Sequence, residues 1–299
     1  MARKYLILPR IEYRGANAMP AWWCTGAPGP MAVRGFANAL GKALGGQDGL
    51  GWVRGASVVH HDVSLRAETL KDGKFGYRIL PHQVRAASFV NKDDYAGGGT
   101  SLSSQPTVRC DGVASLVIAF DEDTPLNTDG IEDFLRRARF AGGTVSEHRF
   151  VADRPLIAGT LQEATDQVRS GFSFHDRADL LALQEGEADP LDAFLRATRR
   201  EKKQDKQTGG MKLGKRESNE AGREALQAAA TPDSWLQPYL AGYRPLTSID
   251  PEARSRDGHP HAFAEPLVGL AQLVSLRTKG LSLWDYSNAN GLYAVAQIH

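Results

Sequence analysis

The sequence of 299 residues has few of the features that mark secreted, metal-binding or membrane proteins. Its two cysteines, Cys24 and Cys110, are too few for a disulfide framework or a zinc site, and they indicate reduced thiols. The longest strongly apolar run, residues 113–120, is too short to cross a bilayer, and the N-terminal apolar run is too short and too soon interrupted to be a signal peptide. We therefore expect a folded cytoplasmic protein that does not associate with a membrane.

The short motifs of common enzymes are also missing. There is no P-loop, nucleophile elbow or dinucleotide fingerprint, and the glycines at 97–99 are not followed by the Lys-Ser/Thr pair of a phosphate loop. His259 and His261 flank a proline and have no cysteine or carboxylate cluster nearby in the sequence, so we predict no metal site. We predict no cofactor either.

The net charge is small, at +1, but it is unevenly distributed. Residues 196–216 contain nine Lys or Arg and two acidic residues, so this segment carries +7 and the remainder carries −6. Such a run attracts polyanions through counterion release, but it is equally typical of a solvated linker. The charge alone identifies no partner.

Apolar patterns predict alternating strands and helices over the first 185 residues. The predicted strands lie at residues 5–9, 56–65, 113–120, 144–151 and 171–174. Helices are predicted to begin at Pro30, Asp129 and the capping box that starts with Thr160. Gly142 and Gly143 are expected to end the second helix. This order is compatible with an α+β, ferredoxin-like βαββαβ core.

Three further segments elaborate this predicted core of residues 1–185. Residues 66–112 are polar and glycine-rich, and a connection of this length predicts a projecting arm. Residues 186–233 are expected to form a helical, basic and variable segment. Residues 234–299 are expected to pack on the core, with a helix at 264–277 and a hairpin around Asn290-Gly291.

Alternation along residues 56–65 assigns two neighbouring histidines to opposite faces of a strand. His61 shares its face with Val59 and is predicted to pack in the core. His60 shares its face with Asp62 and is predicted to be free to contact a polar ligand.

Several stretches resemble, in family order, the Cas-five-type subunit of type I-F CRISPR surveillance complexes, which is the second subunit of the Csy complex. The first is residues 6–40, where a strand is followed by a loop of small residues and then a helix. The others are Arg139-Phe140-Ala141-Gly142-Gly143, Gly171-Phe172, Trp235-Leu236-x-Pro238 with Gly242-Tyr243, Arg256-Asp257 with Pro260 and Phe263, Leu283-Trp284, and Gly291-Leu292-Tyr293.

The resemblance implies a modified ferredoxin-like (RRM-like), repeat-associated RNA-binding fold with a thumb insertion. It also implies a subunit that grips the 5′ handle of the CRISPR RNA (crRNA) and docks the large subunit and the terminal backbone subunit of Cascade. Such a subunit serves antiviral targeting and meets target DNA through the complex. Because a separate subunit cleaves the guide precursor, no catalytic residue is expected here.

A single-stranded handle is held through stacked or hydrogen-bonded bases and through phosphates that meet arginines or exposed backbone N–H groups. The candidate RNA-binding residues are Arg10, Asn17, Trp22, Arg34, His60, Arg78, Arg85, Arg139, Gly142, Gly143 and Arg256. Structural roles compete with this one: Asn17 could cap its own turn, the pair Trp22-Trp23 could pack under a loop, and Arg256 could pair with Asp257.

Two other functions remain open from the sequence. One is a metal-independent endoribonuclease that processes CRISPR precursor RNA, for which His60 is the best candidate general base. The other is a generic RNA-binding module that acts outside any complex.

Overall fold

The structure is a computed structural model. It describes residues 3–21, 23–45, 52–72, 76–80, 82–85, 104–147, 156–182, 189–198, 235–248, 262–287 and 293–298. Within these ranges, every helix is too short or too polar to traverse a bilayer.

The protein is a mixed α/β protein with one large antiparallel sheet and few helices. The strands are β1 (Arg3–Asn17), β2 (Val53–Arg66), β3 (Glu68–Asp72), β4 (Gly76–Leu80), β5 (His82–Arg85), β6 (Ser104–Thr107), β7 (Arg109–Asp121), β8 (Arg139–Phe140), β9 (Gly143–Glu147), β10 (Leu156–Ala158), β11 (Phe172–Asp176), β12 (Leu236–Pro245), β13 (Ala264–Ser275), β14 (Leu283–Ser287) and β15 (Tyr293–Ile298). The helices are α1 (Pro30–Ala43), α2 (Thr128–Leu135), α3 (Leu161–Val168), α4 (Pro190–Thr198) and α5 (Leu276–Lys279), with a 3-10 turn at Ala178–Leu181.

The large sheet has the strand order β11-β13-β12-β15-β14-β2-β7-β1-β9-β8, and β10 pairs with the free edge of β1. Strand β11 also pairs with β2, so the C-terminal strands curl back to form a closed ring with β2. Trp284, Tyr239 and Phe174 pack ring against ring in this part of the core. Strand β2 therefore belongs both to this ring and to the rest of the sheet, which has the order β2-β7-β1-β9-β8.

Helices cover both faces of the part of the sheet outside the ring, but to different extents. On the first face, Leu6, Leu116 and Ile118 pack with α1 and α2. On the second face, Ile7 and Val117 pack with α3 and α5. The alternation of Leu116, Val117 and Ile118 between the two clusters confirms that residues 113–120 form a strand covered on both sides.

The predicted helix at Pro30 is confirmed. Proline occupies the first turn of α1, where its missing N–H costs no hydrogen bond. The apolar stripe of α1, which includes Val33, Phe36 and Leu40, is buried in the first-face core. The capping box is confirmed too, because Thr160 Oγ1 accepts a hydrogen bond of 3.1 Å from the Glu163 N–H at the start of α3.

The predicted helix at residues 264–277 is wrong, because that segment forms strand β13. Leu267 and Leu270 have the spacing of a helix, but each lies next to a residue that weakens a helix when placed inside it, Pro266 and Gly269 respectively. Strands β11 and β12 pair with the two edges of β13 and satisfy its backbone on both sides. At Gly269 a Cβ would lie 2.6 Å from the ring of Tyr239, so the strand needs glycine there.

Two predicted element ends are also wrong. Strand β1 does not stop at Pro9, because a bulge between Leu8 and Ile11 absorbs Pro9 and Arg10 and the strand continues to Asn17. Helix α2 ends at Leu135, well before the two glycines, and Arg139 lies in the next strand.

The segment predicted as an arm contains two short antiparallel ribbons, β3 with β4 and β5 with β6. In the described residues neither ribbon joins the large sheet. Residues 109–112 of the predicted arm belong to β7 and therefore to the large sheet. The hairpin expected near the C-terminus is present as the pair β14 and β15, although its turn lies outside the described residues.

Candidate nucleic-acid interface

The second face of the sheet is open at one end, where β1, β2 and β7 run beyond their covering helices. Along β7, Val117 is buried on this face, Asp111 is half-buried, and Arg109 is exposed. Strand β2 follows the same course, since Asp62, Ser64 and Arg66 are all exposed. This end of the sheet thus presents polar side chains to solvent.

Four exposed arginines from four strands lie at this open end, and we call them the arginine strip: Arg14, Arg66, Arg109 and Arg139. In one cross-strand row, Arg109 pairs with Arg66 on one side and with Asn17 on the other. In the next row, Thr144 pairs with both Arg14 and Arg139. Directly opposite residues of neighbouring strands point to the same face, so the strip runs across the strands.

Hydrogen bonds fix the centre of the strip. The guanidinium of Arg66 donates to Asp111 at 2.6 Å, and the N–H of Gly15 donates to the same carboxylate at 2.8 Å. Burial alone would raise the pKa of Asp111, but these two hydrogen bonds and the charges of Arg66 and Arg14 lower it overall. Asp111 is therefore an anion that holds Arg66 in place.

The other three arginines of the strip have no carboxylate partner among the described side chains. Arg109 donates to the carbonyl oxygen of Gly15 at 2.8 Å, which orients it without neutralising it. Among the side chains that the structure describes, Arg14, Arg109 and Arg139 form no ion pair. The exposed Asp62 lies two cross-strand rows further from the edge than Arg66, and the exposed Glu68 follows Arg66 at the start of β3.

The hairpin of β8 and β9 brings a backbone turn to the same edge. Its two turn residues, Ala141 and Gly142, have φ angles of 48° and 78°, as a tight primed hairpin turn requires. The carbonyl oxygen of Ala141 accepts a hydrogen bond of 2.8 Å from the N–H of Asn17. The side chain of Asn17 also bonds the backbone of Met19 through both its Oδ1 and Nδ2 atoms, so the predicted capping role is real.

A cavity of about 190 Å³ adjoins this edge. Its lining includes Asn17, Pro20, Pro28, Ala32, Ala141 and Leu240. Asn17 and Ala141 therefore belong both to the cavity and to the edge that carries the arginine strip. Among the described residues that line it, none carries a charged side chain.

Arg34 was predicted to bind phosphate, and its position contradicts this. It is only 2% exposed, and its guanidinium donates to Asp285 at 2.7 Å and to the carbonyl oxygen of Val53 at 3.2 Å. It also bonds Asn38 and lies 4.5 Å from the ring centroid of Tyr286. Asp285 and Tyr286 lie in β14 and Val53 lies in β2, so Arg34 joins α1 to both of these strands and is a buried structural residue that RNA cannot reach.

The two histidines exchange their predicted positions. His60 is 4% exposed, bonds the carbonyl oxygen of Pro28 at 2.9 Å and packs edge-on against Phe174. His61 is half-buried and bonds Ser115 Oγ at 2.7 Å on the second face. The predicted alternation was right, but the face predicted to be buried was the wrong one. The ring of C-terminal strands covers His60, whereas the helices on the second face stop short of His61.

A β-bulge between His60 and Asp62 then changes the phase of the strand. As a result Asp62 and Arg66 point to the open face, whereas Val63 packs against the first-face core. His60 is therefore not available to a polar ligand, and it cannot serve as the general base that the endoribonuclease alternative needs.

The predicted glycine pair divides into two roles. Gly143 is buried, and a Cβ there would lie 2.5 Å from the backbone nitrogen of Ala16. It thus makes room for β1 and not for RNA. Gly142 is exposed with no atom within 4 Å of a Cβ, so its backbone remains open to a ligand. Arg10 is exposed but lies apart in the β1 bulge, where its N–H bonds Ser115.

The remaining candidates cannot be placed as side chains. Trp22, Arg256 and the histidines at 259 and 261 lie outside the described residues. Arg78 lies in β4 opposite Leu70, and Arg85 lies in β5 opposite Ser104. In the part of the chain that the structure covers, no three His, Cys, Asp or Glu side chains come together as a metal site.

Sequence reasoning missed Arg14, Arg66 and Arg109, three of the four arginines of the strip. They are separated by 43 residues or more along the chain, so no local spacing links them. One signal was present: Arg66 and Arg109 border the polar segment predicted as an arm, and strands on either side of an insertion commonly pair.

The geometry offers exposed arginines, an exposed backbone turn and a small cavity without charged lining among the described residues, all at one edge of a sheet. The profile of the CRISPR-associated protein family Cas_Csy2 matches residues 6–295. No curated protein matches the sequence. The family match covers nearly the whole chain and agrees with the landmarks found in the sequence. The chain therefore belongs to the Cas_Csy2 family of CRISPR-associated proteins, the second Csy subunit of type I-F Cascade.

Proposed function

We propose that this chain is a non-catalytic, cytoplasmic RNA-binding subunit that holds the 5′ handle of the crRNA at the arginine strip. The observation that carries the proposal is the meeting of four exposed arginines from four separate strands at one open sheet edge. Family membership supplies the context, because it makes the chain a Cascade subunit. In that setting the polyanion to be held is the guide.

Phosphate binding by the strip follows from its geometry. Guanidinium groups offer several N–H donors in one plane and match phosphate oxygens in pairs. The β-strands of a sheet lie roughly 4.8 Å apart, so arginines on successive strands can follow successive phosphates of an extended single strand. Asp111 limits the charge of Arg66, so we assign the stronger contacts to Arg14, Arg109 and Arg139.

We also propose that β1, α1, β2, β7, α2 and β9 correspond to the ferredoxin-like core. In support, these strands lie in the order β2-β7-β1-β9 with every pair antiparallel, and both helices pack on the first face. On this assignment residues 1–185 are the RNA-binding core, the ribbons between β2 and β7 are its arm, and residues 234–299 are an elaboration. The large subunit and the terminal backbone subunit would then dock on surfaces outside the strip and meet target DNA through the complex.

A paired charge removal tests the strip. The variant Arg14→Gln/Arg139→Gln removes two cations that make no ion pair among the described side chains, whereas Arg136→Gln/Arg137→Gln removes two from the end of α2. For the full chain and a single-stranded RNA carrying the repeat-derived handle, we expect the strip variant to bind roughly tenfold more weakly. The slope of log affinity against log salt should fall by roughly 1.4, since each phosphate contact on a single strand contributes about 0.7.

The α2 variant should bind like the wild type in the same fluorescence-anisotropy titration. Equal losses in the two variants would mean that only total charge matters and would refute the strip. Denaturing gels of the same reactions report RNA length: one clean cut by the wild-type chain would refute the non-catalytic assignment and favour the endoribonuclease alternative.

A further inference from the structure

We infer that the cavity beside the arginine strip is a pocket for one unpaired nucleobase of the RNA that the strip holds. This rests on the proposed function. The cavity adds base recognition to a site that otherwise offers only charge, and its lining determines which RNA binds best.

The size of the cavity suits a single planar ring system. Its volume of about 190 Å³ equals that of roughly six water molecules at about 30 Å³ each. It is therefore too small for a base pair or for a protein helix. Small or flat residues make its walls, among them Pro20, Pro28 and Ala32. Flat apolar walls favour an aromatic ring that has left its stack.

The polarity of the cavity points to a base and not to a phosphate. Every lining residue that the structure describes is uncharged. Asn17 stands at its border, and its amide uses one Nδ2 hydrogen and one Oδ1 lone pair on Met19, which leaves a donor and an acceptor for a base edge. The N-terminus of α1 also opens here: Gly29, Met31 and Ala32 line the cavity, and no described side chain caps the first turn. Its positive end favours the electronegative edge of a base.

Continuity with the strip explains how a base would enter. The N–H of Asn17 bonds the carbonyl oxygen of Ala141, and both residues border the cavity. Asn17 is also the direct cross-strand neighbour of Arg109. The strip lies on the second face and the cavity lies beside α1, which packs on the first face, with Asn17 at the sheet edge between them. A strand that passes this edge can therefore place a phosphate on Arg109 and a base in the cavity.

Filling the cavity tests the inference without a change in charge. Ala32→Leu places a larger side chain in the cavity, and Ala39→Leu makes the same change at an exposed position of the same helix. The RNA probes are the handle-bearing strand and a series in which one nucleotide at a time is abasic. For the wild type and for Ala39→Leu, one abasic position should weaken binding about tenfold to a hundredfold.

Ala32→Leu should bind the intact RNA about as weakly as the wild type binds the RNA that is abasic at the sensitive position. Making that position abasic should not weaken the binding of Ala32→Leu any further. If Ala32→Leu binds every RNA as the wild type does, the pocket is refuted, whereas the strip variants still report on the proposed function separately. If the strip variants bind normally, the proposed function itself fails.

A crosslinking measurement keeps the inference testable if Ala32→Leu does not fold. Wild-type chain is irradiated with handle RNA carrying 4-thiouridine at the position that the abasic series identifies. Crosslinked peptides should contain residues 17–32 or Ala141. Crosslinks confined to other segments would overturn the pocket.

Discussion

His60 is a neutral imidazole enclosed by the core, and its protonation is coupled to folding. Its Nε2 atom bonds the carbonyl oxygen of Pro28, and its Nδ1 atom is buried without a partner. Adding a proton would leave a charged N–H group without an acceptor in an apolar site. Burial and, to a smaller extent, the neighbouring His61 together lower the pKa of His60 to about 4, although its hydrogen bond to Pro28 acts in the opposite direction.

This coupling predicts a loss of stability in acid. The unfolded chain binds a proton at this histidine near its ordinary pKa of 6.5, whereas the folded chain binds it only near 4. The free energy of unfolding should therefore be fully retained above about pH 7 and fall as the pH drops to 4. The full shift corresponds to about 3 kcal/mol at roughly 1.4 kcal/mol per pH unit.

Chemical denaturation between pH 7 and pH 4 measures the effect. His60→Gln keeps a side-chain N–H donor but does not titrate, so its curve should be flatter than that of the wild type. His61→Gln is the comparison. Burial and the charge of Arg10 also lower the pKa of His61 to about 4, but this side chain is only half-buried and solvent screens its charge, so its replacement should flatten the curve less. Parallel curves for the wild type and His60→Gln would contradict the assignment.

At the scale of elements, the β8–β9 hairpin holds Arg139 and the turn at Ala141 and Gly142 against the end of β1. It can approach so closely because Gly143 has no side chain where the backbone of Ala16 lies. A second requirement acts at the turn, since Gly142 has a φ angle of 78°. The two neighbouring glycines thus meet two different demands.

Alanine substitutions separate these demands. Gly143→Ala should destabilise the protein by about 2–3 kcal/mol, because backbone atoms cannot move aside for the new methyl group as a flexible side chain can. Gly142→Ala should cost about 1 kcal/mol, since it strains one φ angle and meets no neighbour. Urea unfolding of the two variants compares the costs. A larger loss for Gly142→Ala would show that the hairpin does not depend on its close approach to β1.

At the scale of the whole molecule, the sheet combines two differently closed parts. One end of its second face is open and carries the arginine strip, whereas the other end is sealed by α3 and α5. The ring of C-terminal strands is tied to α1 through Arg34 and Asp285. The edge that carries the arginine strip is therefore built on elements that are covered by helices and by the ring.

Assembly tests this arrangement in the complex. Co-expression of the chain with crRNA, the large subunit and the backbone subunit should yield a particle that contains all of them in fixed ratios. With Arg14→Gln/Arg139→Gln the yield of that particle should fall, and nuclease should trim the 5′ handle that the wild-type particle protects. If a particle assembles normally without this chain and its handle is still protected, the proposal that this chain holds the handle is wrong.

The sequence by itself determined the family, the strand that is covered on both faces, and the helix ends marked by Pro30 and Thr160. These properties depend on residue types at short spacing, such as alternating apolar side chains, a proline in a first turn or a capping hydroxyl. Order along the chain was enough to recognise them.

Only the tertiary structure decided which polar residues face solvent. Arg34 and His60 become core residues because C-terminal strands more than 100 residues away fold over them, and no local pattern encodes that cover. A one-residue bulge after His60 reverses the faces of β2 and aligns Arg66 with Arg109. The arginine strip exists because the pairs β2–β7, β7–β1, β1–β9 and β9–β8 bring residues that are distant in sequence into one register. Pairing over such distances depends on the packing of the whole sheet.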